Sequence, residues 1–481
     1  MQYAMAQNPE QSRSSRRTFL AASVAAGGVS LVGVPGAASA APGGGHGGDD
    51  RPPLAQKPSR ELQHILREID QKRIEATVRK LVSFGTRHTL SVQDDPERGI
   101  GAARDWMFAE MSKYAADSDG RMTVELQSYI QEPDGGRIPV PTRITNVLAT
   151  LRGSVTPNRV YVITGHYDSR VTDVMNATDD APGANDDASG VAVVMEAARV
   201  LAKRDSAATI IFAPVAGEEQ GLYGSAHMAE VLKAAGADVQ AMFTNDIVGS
   251  STADDGTRDP RTIRLFTEGV PTAETPEEGN IRRAVGGEND SPARQLGRFV
   301  RSVADNDATG MNVRVIYRRD RYLRGGDHIS FLEQGFPAAR FTEPNEDYAH
   351  QHQDVRVEDG KQFGDLIEFC DFAFMARVCK VNVATMWSAA NAPGTPKNVK
   401  ILTAQLTNNT DLQWDRGTEP DLAGYEVVWR ETTAPEWTDV IRVGDVTSTS
   451  IDMSKDNVFF GVRAVDRAGR RSPVAFPRPQ S

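Results

Sequence analysis

Short apolar runs and longer amphipathic ones alternate through the middle of the chain. Val160 to Thr164 (VYVIT) and Thr209 to Val215 (TIIFAPV) are rich in β-branched residues and too short for helices, so they read as buried strands. Between them, Ser189 to Lys203 places Val191, Val194, Met195, Ala198 and Leu201 on one helical face. Strand, loop, helix, strand predicts an α/β domain with a mixed, mostly parallel sheet flanked by helices. The connecting loops then meet at the carboxyl edge of the sheet, where ligands bind in such folds.

The same period extends outward. Leu62, Ile65, Leu66 and Ile69 have helical spacing, as do Ile74, Thr77, Val78, Leu81 and Val82. Gly101 to Tyr114 predicts a further helix, with Ala103, Trp106, Met107 and Met111 on its apolar side. Val124–Ile130, Asn146–Ala149, Ala241–Asp246 and Ala339–Phe341 have strand character. Gly360 to Ala390 reads as one long helix through Phe363, Leu366, Ile367, Cys370, Phe374, Val378 and Val381. A polar stretch from Ser250 to Pro292 interrupts the domain and is expected to shape specificity.

Asn391 to Pro396 breaks the pattern, and the chain beyond it has another period. Tyr425, Val427 and Trp429 alternate with Glu426, Val428 and Arg430, and Phe460, Val462 and Ala464 alternate again. Short strands with turn signals predict an all-β sandwich over 395–478, behind an α/β domain over 60–390.

The N-terminus is not fold material. Ser15-Arg16-Arg17-Thr18-Phe19-Leu20 is a twin-arginine signature, followed by a weakly apolar run and the small-x-small site Ala38-Ser39-Ala40. Residues 1–40 read as a twin-arginine signal peptide and 41–59 as a flexible linker, so the protein is expected to be exported, periplasmic or extracellular. The leader carries Arg13, Arg16 and Arg17 against Glu10, a net +2, so a whole-chain charge of −11 leaves −11 − 2 = −13 for the rest. That balance argues against nucleic acid or an anionic membrane as partner. Only Cys370 and Cys379 are present. On one helix they stand about 13 Å apart, too far to bridge, and a cysteine metal site is excluded.

The polar clusters at the strand ends carry the chemistry. His166 and Asp168 sit at i and i+2 after the first strand, and Asp168 is a natural acceptor for the ring N–H of a ligating His166. Asp186 and Asp187 precede a helix, where either serves as a cap. Glu218 and Glu219 follow the second strand, and adjacent side chains diverge, so one can bind a metal while its neighbour handles a proton. Asp246 ends a strand-like run, and His350 and His352 follow another. Imidazole and carboxylate donors in this combination suit Zn²⁺, and two cations sharing one carboxylate explain the number of ligands.

With GHYDS at Gly165, PGANDDASG at Pro182, GEEQGLYGS at Gly217, NDIVG at Asn245, GGDHISF at Gly325 and YAHQHQD at Tyr348, residues 75 to 385 resemble the two-zinc exopeptidases that include the secreted bacterial leucine aminopeptidases (metallopeptidase family twenty-eight). The resemblance implies the zinc exopeptidase fold, two Zn²⁺ ions bridged by Asp186, His166 and Asp246 at one ion, and Glu219 and His350 at the other. It also implies Glu218 as general base for a hydroxide shared by the ions, Asp168 in support, and a cis peptide at Asp186–Asp187. N-terminal residues of peptide or protein substrates are the expected cleavage products. A carboxypeptidase or dipeptidase of the same family is the alternative, with a non-catalytic binding protein behind it.

Two departures stand out. The last ligand of the family sits in His-Thr-x-x-Asp, whereas this chain has His350-Gln351-His352-Gln353-Asp354; spacing to Asp354 favours His350. Asp327 and His328 are candidates for supporting the substrate or the loop. In the tail, Trp414, GYEVVWR at Gly424 and FGVRAVDRAGRRS at Phe460 resemble a fibronectin type III module, with Phe460 where a tyrosine corner places a hydroxyl. An exposed Trp437 would give that module a polysaccharide or protein contact; packing is the plainer role for the ring.

Overall fold

Strand β3 (Thr156–His166) is buried along the half that leads to His166, because its β-branched and aromatic residues face apolar layers on both sides. Tyr161 and Ile163 point into one hydrophobic cluster, Val160 and Val162 into another. The computed structural model describes residues 54–480. The predicted signal peptide and most of the predicted linker lie outside them.

Seven more strands complete the sheet: β1 (Met122–Gln131), β2 (Thr142–Leu151), β4 (Ala208–Val215), β5 (Asp238–Asn245), β6 (Thr262–Phe266), β7 (Asn312–Ile316) and β8 (Ala338–Thr342). Their spatial order is β1-β2-β4-β3-β5-β8-β6-β7. The centre β4-β3-β5-β8 is parallel, with antiparallel joins at β2–β4 and β8–β6. Helices Ala188–Leu201 and Phe372–Asn391 cover one face. Tyr223–Ala234 and His328–Glu333 cover the other. A mixed sheet flanked by helices is therefore the architecture, with every parallel strand of the centre ending at one edge.

Three expectations are corrected. The long helix does not begin at Gly360: it starts at Phe372, after a hairpin of Arg356–Glu358 and Lys361–Phe363 and a short 3₁₀ turn at Ile367–Phe369. Asp359 and Gly360 both have positive φ and form the hairpin turn. The polar stretch 250–292 is not one long loop: it supplies β6 and the capped helix Pro276–Val285. Residues 54–59 of the predicted linker are docked: Gln56 N donates to Ser302 O at 2.7 Å, and Leu54 packs beside Trp437 and Val474.

Beyond Asn391 a four-stranded sheet (Ser448–Ile451, Thr410–Gln413, Lys400–Leu402, Arg478–Gln480) and a three-stranded one (Asp439–Gly444, Leu422–Glu431, Val458–Asp466) enclose Leu412, Trp414, Tyr425, Val427, Phe460 and Val462. This all-β unit is tied to the α/β domain by buried charge. Asp290 Oδ1 accepts from Arg298 Nη1 at 2.8 Å and Gln295 Nε2 at 3.0 Å, while Oδ2 accepts from Arg430 Nη2 at 2.7 Å. Trp437 is buried over this group, its indole N–H donating to Gln295 at 2.9 Å. The ring therefore has the plainer role, packing, and is not an exposed platform.

Removing one partner of a buried ion pair leaves charge uncompensated and costs roughly 3–5 kcal/mol. Asp290→Ala, which strands Arg298 and Arg430, is expected to lower the urea midpoint of the chain markedly. A midpoint equal to the wild type would show that this junction contributes nothing.

Candidate metal centre

Four of the side chains singled out in the sequence lie at the carboxyl edge of the parallel strands. His166 is the last residue of β3; Glu219 follows β4 in the short helix Glu218–Gly221; Asp246 follows β5 directly. Asp186 sits in the loop before Ala188–Leu201, one residue from that helix's cap, Asp187. This loop can approach the sheet because Gly165 and Gly190 face each other. A Cβ on Gly165 would lie 2.5 Å from Gly190 C, and one on Gly190 would lie 2.1 Å from Asn245 O.

Asp186 is the hub. Its Oδ1 is 3.0 Å from His166 Nε2, and its Oδ2 is 2.9 Å from His352 Nε2. His352 Nε2 is also 2.8 Å from Glu219 Oε1, and His166 Nε2 is 4.0 Å from Asp246 Oδ1. Two groups with the spacing of a metal site result: His166, Asp186 and Asp246, and Asp186, Glu219 and His352. Asp186 belongs to both. The Asp186–Asp187 peptide is cis.

His350 is not among them. Its ring stacks on Phe369 at 3.6 Å and its Nδ1 lies 3.5 Å from Asp347, on the outer side of the turn. Spacing to Asp354 is a misleading guide, because Asp354 instead accepts from Thr172 N at 3.2 Å. The chain passes through a left-handed conformation at His352 (φ 54°), and it is this ring that meets Asp186 and Glu219.

Asp168 supports the centre differently from expectation. His166 Nδ1 lies 3.1 Å from the Asp168 backbone carbonyl, and the carboxylate is farther, at 3.6 Å. That carboxylate accepts from Thr89 Oγ1 at 2.9 Å and from the backbone N–H groups of Glu218 and Glu219 at 3.3 and 3.1 Å. It holds the glutamate turn rather than the histidine. Asp327 and His328 are both buried beside the site, and His328 Nε2 faces Arg319 O at 2.9 Å.

Several supporting residues gave no motif. Asp365 accepts from the backbone N–H groups of Asn185 and Asp186 at 2.8 and 2.7 Å. Arg87, fully buried, donates to the carbonyls of Tyr167, Pro182 and Gly183, clamping two of the site loops together. Arg340 donates to Asp246 Oδ1 at 2.7 Å. A charged residue inside the apolar strand Ala338–Thr342 was the available signal.

Electrostatics and geometry agree that the site accepts a cation. Burial opposes charge on His352, yet Glu219 and Asp186 outweigh it and push the imidazole up to about 10. His166 is likewise raised well above its ordinary range: burial opposes this, but Glu218, Asp168 and Asp186 prevail. Asp186 is held well below the usual carboxylate range against burial, by His352 and His166. Glu219 Oε1 is buried without a hydrogen-bond partner although His352 Nε2 is close. Both atoms belong to the group of donors spaced for a metal ion. The donor set of imidazole nitrogen and carboxylate oxygen fits zinc.

Comparison with known proteins agrees. Residues 146–359 match the model of Peptidase family M28. A probable zinc metalloprotease of Leptosphaeria maculans is 58% identical over 422 residues, covering 88% of this chain and 98% of that protein. A relative of the same name from Pyricularia oryzae is 56% identical over 431 residues, covering 88% of this chain and 86% of that protein. Among solved structures, LapA of Legionella pneumophila shares the fold at a TM-score of 0.50, with 21% identity over 70% of this chain and 78% of that one. The chain belongs to Peptidase family M28 and is a zinc metallopeptidase.

Replacing His352 by alanine is expected to weaken zinc binding by more than the roughly 10- to 100-fold that loss of a supporting hydrogen bond costs. His350→Ala is expected to leave it unchanged. Calorimetric zinc titration of the two variants distinguishes the histidines.

Proposed function

We infer that the protein is an exported exopeptidase that removes N-terminal residues from peptides, with two zinc ions per chain. His166, Asp186 and Asp246 would hold one ion, and Asp186, Glu219 and His352 the other. The observation that carries this reading is the position of Asp186, with each carboxylate oxygen against a different imidazole. Zinc held by these residues would supply an acidified water and a Lewis acid for the scissile carbonyl.

The protein's own groups do the rest. Glu218 lines the same cleft as Asp186, Glu219 and Asp246. Burial, and then the carboxylates of Asp246 and Glu219, hold its carboxyl well above the usual range against the pull of His166. A raised pKa suits a group that takes a proton from water and returns it to the leaving amine. Asp168 fixes Glu218 through its backbone, so the base need not be ordered during the reaction. The motif resemblance of residues 75 to 385 to the secreted leucine aminopeptidases supports aminopeptidase polarity.

The twin-arginine leader supports export. The strand pattern of 395–478 supports a fibronectin type III module, with Phe460 packed in its core.

Glu218→Gln is expected to retain both zinc equivalents by elemental analysis while kcat falls by about 10²–10⁴. An active Gln variant would remove Glu218 from the mechanism. On leucyl substrates, N-acetylation is expected to abolish hydrolysis; indifference to the blocking group would instead indicate a carboxypeptidase.

A further inference from the structure

The cleft over the metal centre, about 340 Å³, is lined not only by carboxylates. Arg137, Arg170, Arg321 and Arg324 also face it. Two of these serve the ligands: Arg170 Nε donates to Glu219 Oε2 at 2.9 Å, and Arg137 Nη1 donates to the Glu219 carbonyl at 2.7 Å. The other two belong to the loop between β7 and helix His328–Glu333, and they donate to groups outside the metal centre.

Arg321 and Arg324 are aimed by one buried anion. Glu346 Oε2 accepts from Arg324 Nη1 at 2.8 Å and from Arg321 Nη1 at 3.2 Å, while its Oε1 accepts from Arg264 Nη2 at 3.2 Å. One carboxylate thus holds three guanidiniums, and with Asp320 counted beside Arg321 the cluster keeps an excess of one positive charge. Arg321 is further fixed by Asp320 and the Gly325 carbonyl. Arg324 is about a third exposed, with side-chain accessibility of 32%. The loop turns sharply between them: Leu323 has φ 54° and stands fully out in solvent, beside the exposed Tyr322.

The carboxylates lining the cleft (Asp186, Glu218, Glu219 and Asp246) are those that the proposed function assigns to zinc and to the base. They are engaged there, and the guanidiniums of Arg321 and Arg324 are not needed to balance them. A guanidinium offers five N–H donors in a plane that matches a carboxylate, so a pair held this way is a ready anion reader.

We propose that Arg321 and Arg324 bind a carboxylate of the substrate, so that this exopeptidase prefers peptides with an anionic group beside the scissile bond. The group is either the terminal carboxylate of a dipeptide or an acidic side chain in the leaving residue. The proposal rests on the exopeptidase reading above and adds the substrate class to it.

The test compares kcat/KM of the zinc-loaded full chain on Leu-Ala, Leu-Ala-amide, Leu-Glu-amide and N-acetyl-Leu-Ala. Leu-Ala or Leu-Glu-amide is expected to exceed Leu-Ala-amide by roughly tenfold or more, the worth of a hydrogen bond to a charged group. Whichever of the two is preferred identifies the source of the carboxylate. Arg324→Met and Arg321→Met should each collapse that ratio, and Arg324→Lys, which keeps the charge but loses the fork, should restore part of it. Calorimetric binding of the same peptides to Glu218→Gln should follow the same order. A ratio near one in the wild type, or a ratio untouched by both Met variants, overturns the proposal while the peptidase reading stands. Cleavage of N-acetyl-Leu-Ala as readily as Leu-Ala would overturn the aminopeptidase polarity and leave the carboxylate reading intact. If no peptide is cleaved, the exopeptidase reading falls, and the binding order measured on the wild type decides this proposal alone.

Discussion

A single buried carboxylate, Asp186, has to stay charged and in place between two imidazoles, and most of the surrounding structure exists to keep it there. Moving an ion out of water costs several kcal/mol unless partners replace its hydration. Here the partners are layered. His166 and His352 meet the two oxygens, and Asp365 grips the backbone on either side of the Asn185–Asp186 peptide. Asp187, next in sequence, accepts from the backbone of His166, Gly190 and Ile247. One loop is thereby stitched to β3, to the following helix and to the segment after β5. Burial and the nearby Asp186 charge push Asp365 up to about 7 against those backbone hydrogen bonds. Asp187 and Asp365 are both pushed above the usual carboxylate range by burial while Asp186 is held below it, so the negative charge of this loop is concentrated on the hub.

The rest of the cleft follows from that concentration. Asp246 shares its field with Arg340, which is completely buried and also lies 3.5 Å from Asp320. An arginine on a carboxylate of the centre restrains its orientation and reduces the excess of negative charge at that end. The Asp186–Glu219–His352 end receives Arg170 in the same manner. Each of the two groups therefore has one guanidinium on one of its carboxylates. That balance lets four acidic side chains converge without forcing the strand ends apart.

Much of this was legible in the sequence, and the part that was not has a physical reason. His166, Asp186, Glu219 and Asp246 stand out because each follows a short β-branched run or precedes an apolar helix, and parallel strands fix where such positions go. The sheet centre is readable for the same cause. Spacing favours His350 over His352 because loop geometry has no period: a left-handed residue and a stacked Phe369 decide which ring turns inward. The segment 360–371 looks helical because Phe363, Leu366, Ile367 and Cys370 have helical spacing, yet a hairpin and a 3₁₀ turn half-bury the same residues. Arg87 and Asp365 act by hydrogen bonds to distant backbone groups, over separations of 80 to 180 residues. No local pattern encodes such a partner.

The C-terminal unit meets the opposite end of the sheet. Arg159, near the start of β3, donates to Glu419 at 2.8 Å, and Gln240, near the start of β5, accepts from Thr395 N at 3.0 Å. From Arg159 to His166 the strand advances seven residues, about 23 Å at the usual rise. The β unit is therefore joined where the parallel strands begin, and the metal centre lies where they end. Its buried contacts through Asp290, Arg430 and Trp437 make it a structural continuation of the α/β domain. None of the residues lining the metal cleft belongs to it. Whatever the unit's outer face touches, its effect on hydrolysis has to pass through the strands themselves or through the placement of the whole enzyme, because it contributes no wall to the cleft.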